Sequence, residues 1–247
     1  MSFEYEKHHI MLVAHRGLAM DYPENTSIAI QAALQSNADI LEIDLHKTRD
    51  GQLVVIHDDT IDRTSNGRGK VGEQTLNDLR QYDYGINSNP RYTKQTLLTF
   101  DEVLTLIKAS SQALLIEMKQ PKNYPGIEND LIDKLKQYEL DKNQVIIQSF
   151  DQNFIKQLYL KHYGYRLGVL ISKKRYWYKM PSFKKIAEYA DYINPHYALV
   201  TKAFMKKAHD YGLKVMPYTV NEKRQAIKLI RIRVDGLISD KPHRLFC

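Results

Sequence analysis

The chain has 247 residues, 43% apolar and 26% charged, with 11 glycines and 8 prolines; this ordinary globular usage excludes a disordered or collagen-like protein. No apolar run approaches the ~20 residues of a membrane-crossing helix, and a single cysteine, Cys247, excludes a disulfide framework and a thiolate metal cluster. The net charge of +7 is unevenly placed: residues 1–160 hold 17 Lys and Arg against 23 Asp and Glu, but residues 161–247 hold 19 against 6. Such a field attracts anions, whether nucleic acid, a membrane surface or a small phosphorylated substrate.

Met1–His9 carries Glu4, Glu6 and Lys7 and lacks the basic-then-apolar order of a secretory leader, so the expected compartment is the cytoplasm. A first strand is expected over Met11–Ala14, then a helix over Ser27–Ser36 and a second strand over Ile40–Leu45. Leu53–His57 reads as a hairpin partner of that second strand across Asp50-Gly51. About 40 residues then pass before a helix over Asp101–Ala109, too many for an ordinary βα loop. Thr75 and Asp78 lie at capping-box spacing within them and predict one short helix. We expect an insertion at about 58–98, lying over the C-terminal face of the sheet and serving the function.

Beyond it, strands over Ala113–Met118, Val145–Gln148, Leu167–Ile171, Tyr192–Asn194, Val215–Tyr218 and Gly236–Ile238 alternate with amphipathic stretches. Those stretches, Glu128–Tyr138, Gln152–His162, Ser182–Tyr189, Lys202–Tyr211 and Glu222–Ile232, read as helices. Eight strands with intervening helices predict an α/β protein, a TIM-type (β/α)8 barrel, with residues 1–247 as a single catalytic domain; a doubly wound open sheet has a similar count.

Strand alternation sends Glu42 and Asp44 to one face and Leu41, Ile43 and Leu45 to the other. In a barrel those carboxylates point inward, where two ionised acids repel each other unless a cation neutralises them. Glu117, near the end of Ala113–Met118, adds a third. Three carboxylates without a cysteine favour a hard divalent ion, Mg²⁺ or Ca²⁺. His15 and His57 end strands on the face where barrel enzymes place their chemistry, and are candidates for general acid and base. Arg16 and Lys119 offer positive charge to an anion bridging to the metal. Gln148, His196 and Tyr218 are further inward-facing candidates.

His15-Arg16-Gly17, Pro23-Glu24-Asn25-Thr26, Glu42-Ile43-Asp44, His57-Asp58 and Asp62-Arg63-Thr64 together resemble the glycerophosphodiester phosphodiesterase family. Glu117-Met118-Lys119, Gln148-Ser149-Phe150, Tyr218-Thr219-Val220-Asn221 and Asp235-Gly236 continue the resemblance along the chain. It implies a TIM-type barrel with a small insertion after the second strand, and hydrolysis of glycerophosphodiesters to glycerol 3-phosphate and an alcohol. It puts metal ligands at Glu42, Asp44 and Glu117, catalytic histidines at His15 and His57, and phosphate contacts at Arg16 and Lys119. One departure is that Tyr218 stands where the family pattern has a Trp before Thr-Val-Asn.

Residues 173–185 interleave Lys and Arg with aromatics after the fifth strand. Three readings stay open there: a rim steering an anionic substrate, a peripheral membrane contact, and packing of Trp177 and Phe183. Alternatives for the whole chain are a related phosphodiesterase acting on a lysophospholipid or glycerol-phosphate polymer, and a non-catalytic barrel that binds anions or nucleic acid. The last leaves paired histidines beside three carboxylates without a purpose.

Overall fold

A computed structural model describes residues 3–5 and 8–246, with side chains from His9 onward; Cys247 and part of the N-terminal stretch lie outside the described residues. The seven parallel strands are β2 (His8–His15), β3 (Ile40–Lys47), β5 (Ala113–Met118), β6 (Val145–Ser149), β7 (Arg166–Ile171), β8 (Tyr192–Pro195) and β9 (Gly236–Ser239). β9 returns to pair with β2. Two antiparallel strands flank them: β1 (Phe3–Tyr5) on β2 and β4 (Leu53–Val55) on β3, the latter being the expected hairpin partner.

The expected strand over Val215–Tyr218 does not form a regular ladder. Pro217 has no N–H to contribute, and this stave is joined to β8 by isolated pairings of Lys214 with Tyr192 and of Tyr218 with His196. The Asn194 side chain substitutes for a strand neighbour by accepting from the Met216 N–H at 3.1 Å. On the other side Asp235 and Ile238 donate to the carbonyls of Val215 (2.9 Å) and Pro217 (3.0 Å). These bonds close the eight-stave cylinder, and the chain is a TIM-type (β/α)8 barrel.

The expected helices appear outside the strands. They are α1 (Ser27–Leu34), α3 (Phe100–Lys108), α4 (Ile127–Gln137), α5 (Gln152–Leu160), α7 (Phe183–Ala187), α8 (Lys202–Asp210) and α9 (Lys223–Arg231). Their apolar faces bury Val103, Leu131, Ile155 and Phe204 against outward strand residues such as Leu41, Ile43 and Val169. Inside the cylinder a smaller apolar plug, including Val13, Ile40, Leu115, Ile146, Met216 and Ile238, fills the lower layers. The polar residues stand above it, on the C-terminal side.

The insertion has a core of its own, in which Ile61, Val71, Leu79, Tyr84 and Leu97 pack on Val54 and Ile56. Its short helix α2 (Leu76–Leu79) is capped as expected by Thr75 and Asp78, each accepting the other's backbone N–H. One further turn, α6 (Lys173–Tyr176), follows β7.

After β2 the chain turns through Arg16 and Gly17, both left-handed, at φ 58° and 82°. A Cβ on Gly17 would sit 2.5 Å from the backbone carbon of Ala29 in α1, so only glycine fits where loop and helix meet. Gly17→Ala is expected to lower the unfolding free energy by roughly 2–4 kcal/mol, read as a drop in the urea midpoint at unchanged slope.

Candidate active site

Adjacent strands bring the acids together through their register. Asp44 on β3 pairs with Glu117 on β5, and His15 on β2 pairs with Glu42. Ligand oxygens of Glu42, Asp44 and Glu117 all lie within 4.8 Å of one another, and all three residues are buried. The Arg16 N–H donates to both the carbonyl and the Oε2 of Glu42, each at 3.0 Å. Asn25 Nδ2 donates to Asp44 Oδ2 at 3.0 Å. Asp44 Oδ1 is buried without a hydrogen bond.

Two cations answer the three acids. Lys119 Nζ sits 2.6 Å from Glu117 and 3.5 Å from Asp44. Arg16 Nε is 3.1 Å from Asp44, while its Nη1 donates to Glu24 at 2.9 Å. Burial alone would raise the Asp44 pKa, but Arg16, Lys119 and the imidazoles of His57 and His15 hold it well below the usual carboxylate range. Glu42 goes the other way: burial, Asp44 and Glu117 raise it well above that range. Burial opposes the charge on Lys119, yet Glu117 and Asp44 raise it above an ordinary lysine.

With all groups ionised, three carboxylates exceed two cations by one negative charge. The converging oxygens, an Asp44 Oδ1 that accepts no hydrogen bond and meets only the Lys119 ammonium at 3.5 Å, and this surplus fit a hard divalent cation, as the donor set does.

Each histidine has its own carboxylate. His15 Nδ1 donates to Asp240 Oδ1 at 2.6 Å, and Asp240 Oδ2 accepts from Asn221 Nδ2 at 2.6 Å. His57 Nδ1 donates to Asp58 Oδ1 at 2.6 Å, and Asp58 Oδ2 accepts from Arg63 Nε at 2.7 Å. A carboxylate accepts only, so in each neutral ring Nε2 is left as the basic nitrogen. Despite partial burial, Arg63 and His57 pull the Asp58 pKa down to about 2. Arg63, from the insertion, also grips both oxygens of Glu24 at 2.7 and 2.8 Å, linking His57 through Asp58, Arg63 and Glu24 to Arg16.

Buried His46 supports His57 from beneath. Its Nε2 lies 3.2 Å from the His57 carbonyl and its Nδ1 lies 2.9 Å from the Tyr124 hydroxyl. The carbonyl can only accept, so Nε2 donates to it and Nδ1 accepts from Tyr124.

The other candidates are less central. Gln148 is paired in register with Glu117, and its Oε1 accepts from Asn194 at 2.8 Å. Tyr218 donates to the Ile171 carbonyl at 3.1 Å, and its ring meets Phe150 and His196 edge-on at 6.0 and 5.9 Å. Burial and Glu117 raise the Tyr218 phenol well above its usual range. His196 is not drawn into the acid cluster; its Nδ1 accepts from the Ala198 N–H at 3.2 Å, closing a local turn. A groove of about 560 Å³ opens beside Glu117 and Lys119, bordered by Pro121, Phe150, Gln152 and Arg175.

Residues 15–244 match the glycerophosphoryl diester phosphodiesterase family. The chain belongs to this family. A glycerophosphodiester phosphodiesterase of Caldanaerobacter subterraneus subsp. tengcongensis is 33% identical, with 95% of this chain and 96% of that protein covered. One from Bacillus subtilis (strain 168) is 32% identical, with coverage of 94% and 84%. Among solved structures, an Oleispira antarctica phosphodiesterase in complex with its product sn-glycerol-3-phosphate superposes with a TM-score of 0.85. It is 25% identical, with 95% of this chain and 94% of that chain covered. Membership makes the chain an enzyme, a glycerophosphodiester phosphodiesterase, as its motifs implied.

Asp240, Arg63 and His46 belong to the site but lie outside the candidates that the sequence offers, although Arg63 falls within a family motif. Asp240 carried a usable signal: Gly236, Ile238 and Asp240 continue one inward-facing alternation past the end of β9.

Proposed function

We propose that the whole chain, insertion included, works as one catalytic unit that hydrolyses glycerophosphodiesters to glycerol 3-phosphate and an alcohol, by acid and base catalysis from His15 and His57. The observation that carries this reading is three buried carboxylates with oxygens within 4.8 Å of one another, beside two histidines that each donate Nδ1–H to an aspartate at 2.6 Å. The product bound to the Oleispira antarctica relative supports glycerol 3-phosphate as the product here.

Glu42, Asp44 and Glu117 would hold the divalent ion, Mg²⁺ or Ca²⁺. When bound, it supplies charge neutralisation at a phosphoryl oxygen and a lowered pKa for a hydroxyl of the substrate. One histidine Nε2 takes the proton of the glycerol 2-hydroxyl, whose oxygen attacks phosphorus to form a five-membered cyclic phosphate as the P–O bond to the alcohol breaks. The other histidine, protonated at Nε2, gives that proton to the departing alkoxide. Water then opens the ring with the two roles exchanged. Arg16 and Lys119 hold the phosphoryl oxygens, and Gln148 and Tyr218 line the approach. We assign the reaction to the cytoplasm, where a chain with one cysteine needs no disulfide.

The direct test is release of glycerol 3-phosphate from glycerophosphocholine with Mg²⁺ or Ca²⁺, against a chelator control. Ion-dependent release is expected. Absence of turnover with every divalent ion, joined to tight binding of DNA, would replace the enzyme with an anion-binding barrel.

A further inference from the structure

The basic, aromatic segment after β7 separates into two parts. Phe183 is buried against Phe204, with ring centroids 4.9 Å apart, and accounts for packing. Trp177 and Tyr178 are not core residues, being 72% and 64% exposed, and Met180 beside them is 42% exposed. A cleft of about 320 Å³ runs under them, walled also by Leu199 and Phe204.

Around these apolar groups stand exposed Lys173, Lys174, Arg175 and Lys179, none of which forms an ion pair with an acidic side chain among the described residues. Residues 173–185 contain no Asp or Glu. The segment lies at the mouth of the barrel: it follows the C-terminal end of β7, Arg175 borders the groove that reaches Glu117 and Lys119, and the Tyr176 hydroxyl accepts from Gln152 at 3.3 Å.

We propose that this prong of Trp177, Tyr178 and Met180, collared by lysines, is a docking surface for an anionic lipid bilayer, seating the mouth of the barrel against the membrane. A rim that only steers a soluble anion needs the charges and gains nothing from exposing two large aromatics. Trp and Tyr at the tip of a basic collar suit the headgroup region, where the rings sit among acyl and glycerol groups while the lysines meet lipid phosphates. This inference goes beyond the hydrolytic reading and is measured separately from it.

The test is cosedimentation of the full chain with vesicles of phosphatidylcholine alone and of phosphatidylcholine with phosphatidylglycerol, alongside turnover of soluble glycerophosphocholine. Binding is expected only to the anionic vesicles, and to weaken in high salt. Trp177→Ala/Tyr178→Ala should lower the partition coefficient at least about tenfold. Lys174→Glu/Lys179→Glu should lower it by at least about fivefold for each lysine replaced. Lys228→Glu/Arg231→Glu, in the last turn of α9, is the matched charge control and should bind normally. All three variants should keep parental turnover of the soluble substrate. Equal binding to neutral vesicles, parental binding by the prong variants, or tighter retention on a single-stranded oligonucleotide than on anionic vesicles would each overturn the proposal. Loss of turnover in the parent with vesicle binding intact would count against the hydrolytic reading alone.

Discussion

Replacing His57 or His15 by alanine is expected to lower kcat on glycerophosphocholine by roughly 10² to 10⁴, with little change in the thermal melt. Both rings stand at the open end of the barrel, with side chains 31% and 12% exposed, so truncation removes little of the core. Each ring also owns a carboxylate that fixes the proton on Nδ1, and that arrangement gives a graded comparison. Asp240→Asn or Asp58→Asn leaves the imidazole in place but removes the preference for the productive tautomer and the stabilisation of the charged ring. These variants should therefore lose activity with KM nearly unchanged, by less than the corresponding alanine replacement of the ring itself. Steady-state kinetics on the four single variants checks this. Near-normal kcat in both histidine variants would remove the acid and base roles.

The second large effect is expected at the acids. A chelator should abolish turnover, and Glu42→Gln, Asp44→Asn and Glu117→Gln should each lose about 10³-fold or more, because the charge stabilisation an ion supplies is worth several kcal/mol. Thermal melting separates this from simple misfolding. An ion that binds the native protein at a hundredfold excess over its Kd stabilises it by about 2.7 kcal/mol, which is roughly 5–10 °C for a chain of this length. The parent should show that rise on adding Mg²⁺ or Ca²⁺. Glu42→Gln should not, and in chelator it should melt no lower than the parent, since it removes a buried charge repelled by Asp44 and Glu117. A parent indifferent to divalent ions in both assays would refute the metal site.

The pattern of what the sequence revealed follows from how far each signal reaches along the chain. Glu42, Asp44 and Glu117 were legible because a charged residue at an inward position of an apolar strand violates the local pattern, and strand alternation is a period of two. Thr75 and Asp78 were legible because a capping box is contained in four residues. Asp240 serves His15 from 225 positions away, and Arg63 reaches Glu24 across 39, so only the closed barrel brings these partners together. The apolar run at 215–218 is long enough to predict a regular strand. Pro217 carries the correction in its missing N–H, and the bond from Met216 to the Asn194 side chain shows how the gap is bridged.

That irregular stave stands seventh of eight around the cylinder, across the diameter from β3 and β5, which carry the three acids. Its backbone is nonetheless held on both sides: the Tyr218 N–H donates to the Pro195 carbonyl, the Tyr218 carbonyl accepts from Tyr197, and the Pro217 carbonyl accepts from Ile238. The cylinder thus closes without a continuous ladder at one stave, while the register that gathers Glu42, Asp44 and Glu117 is written entirely in regularly paired neighbours.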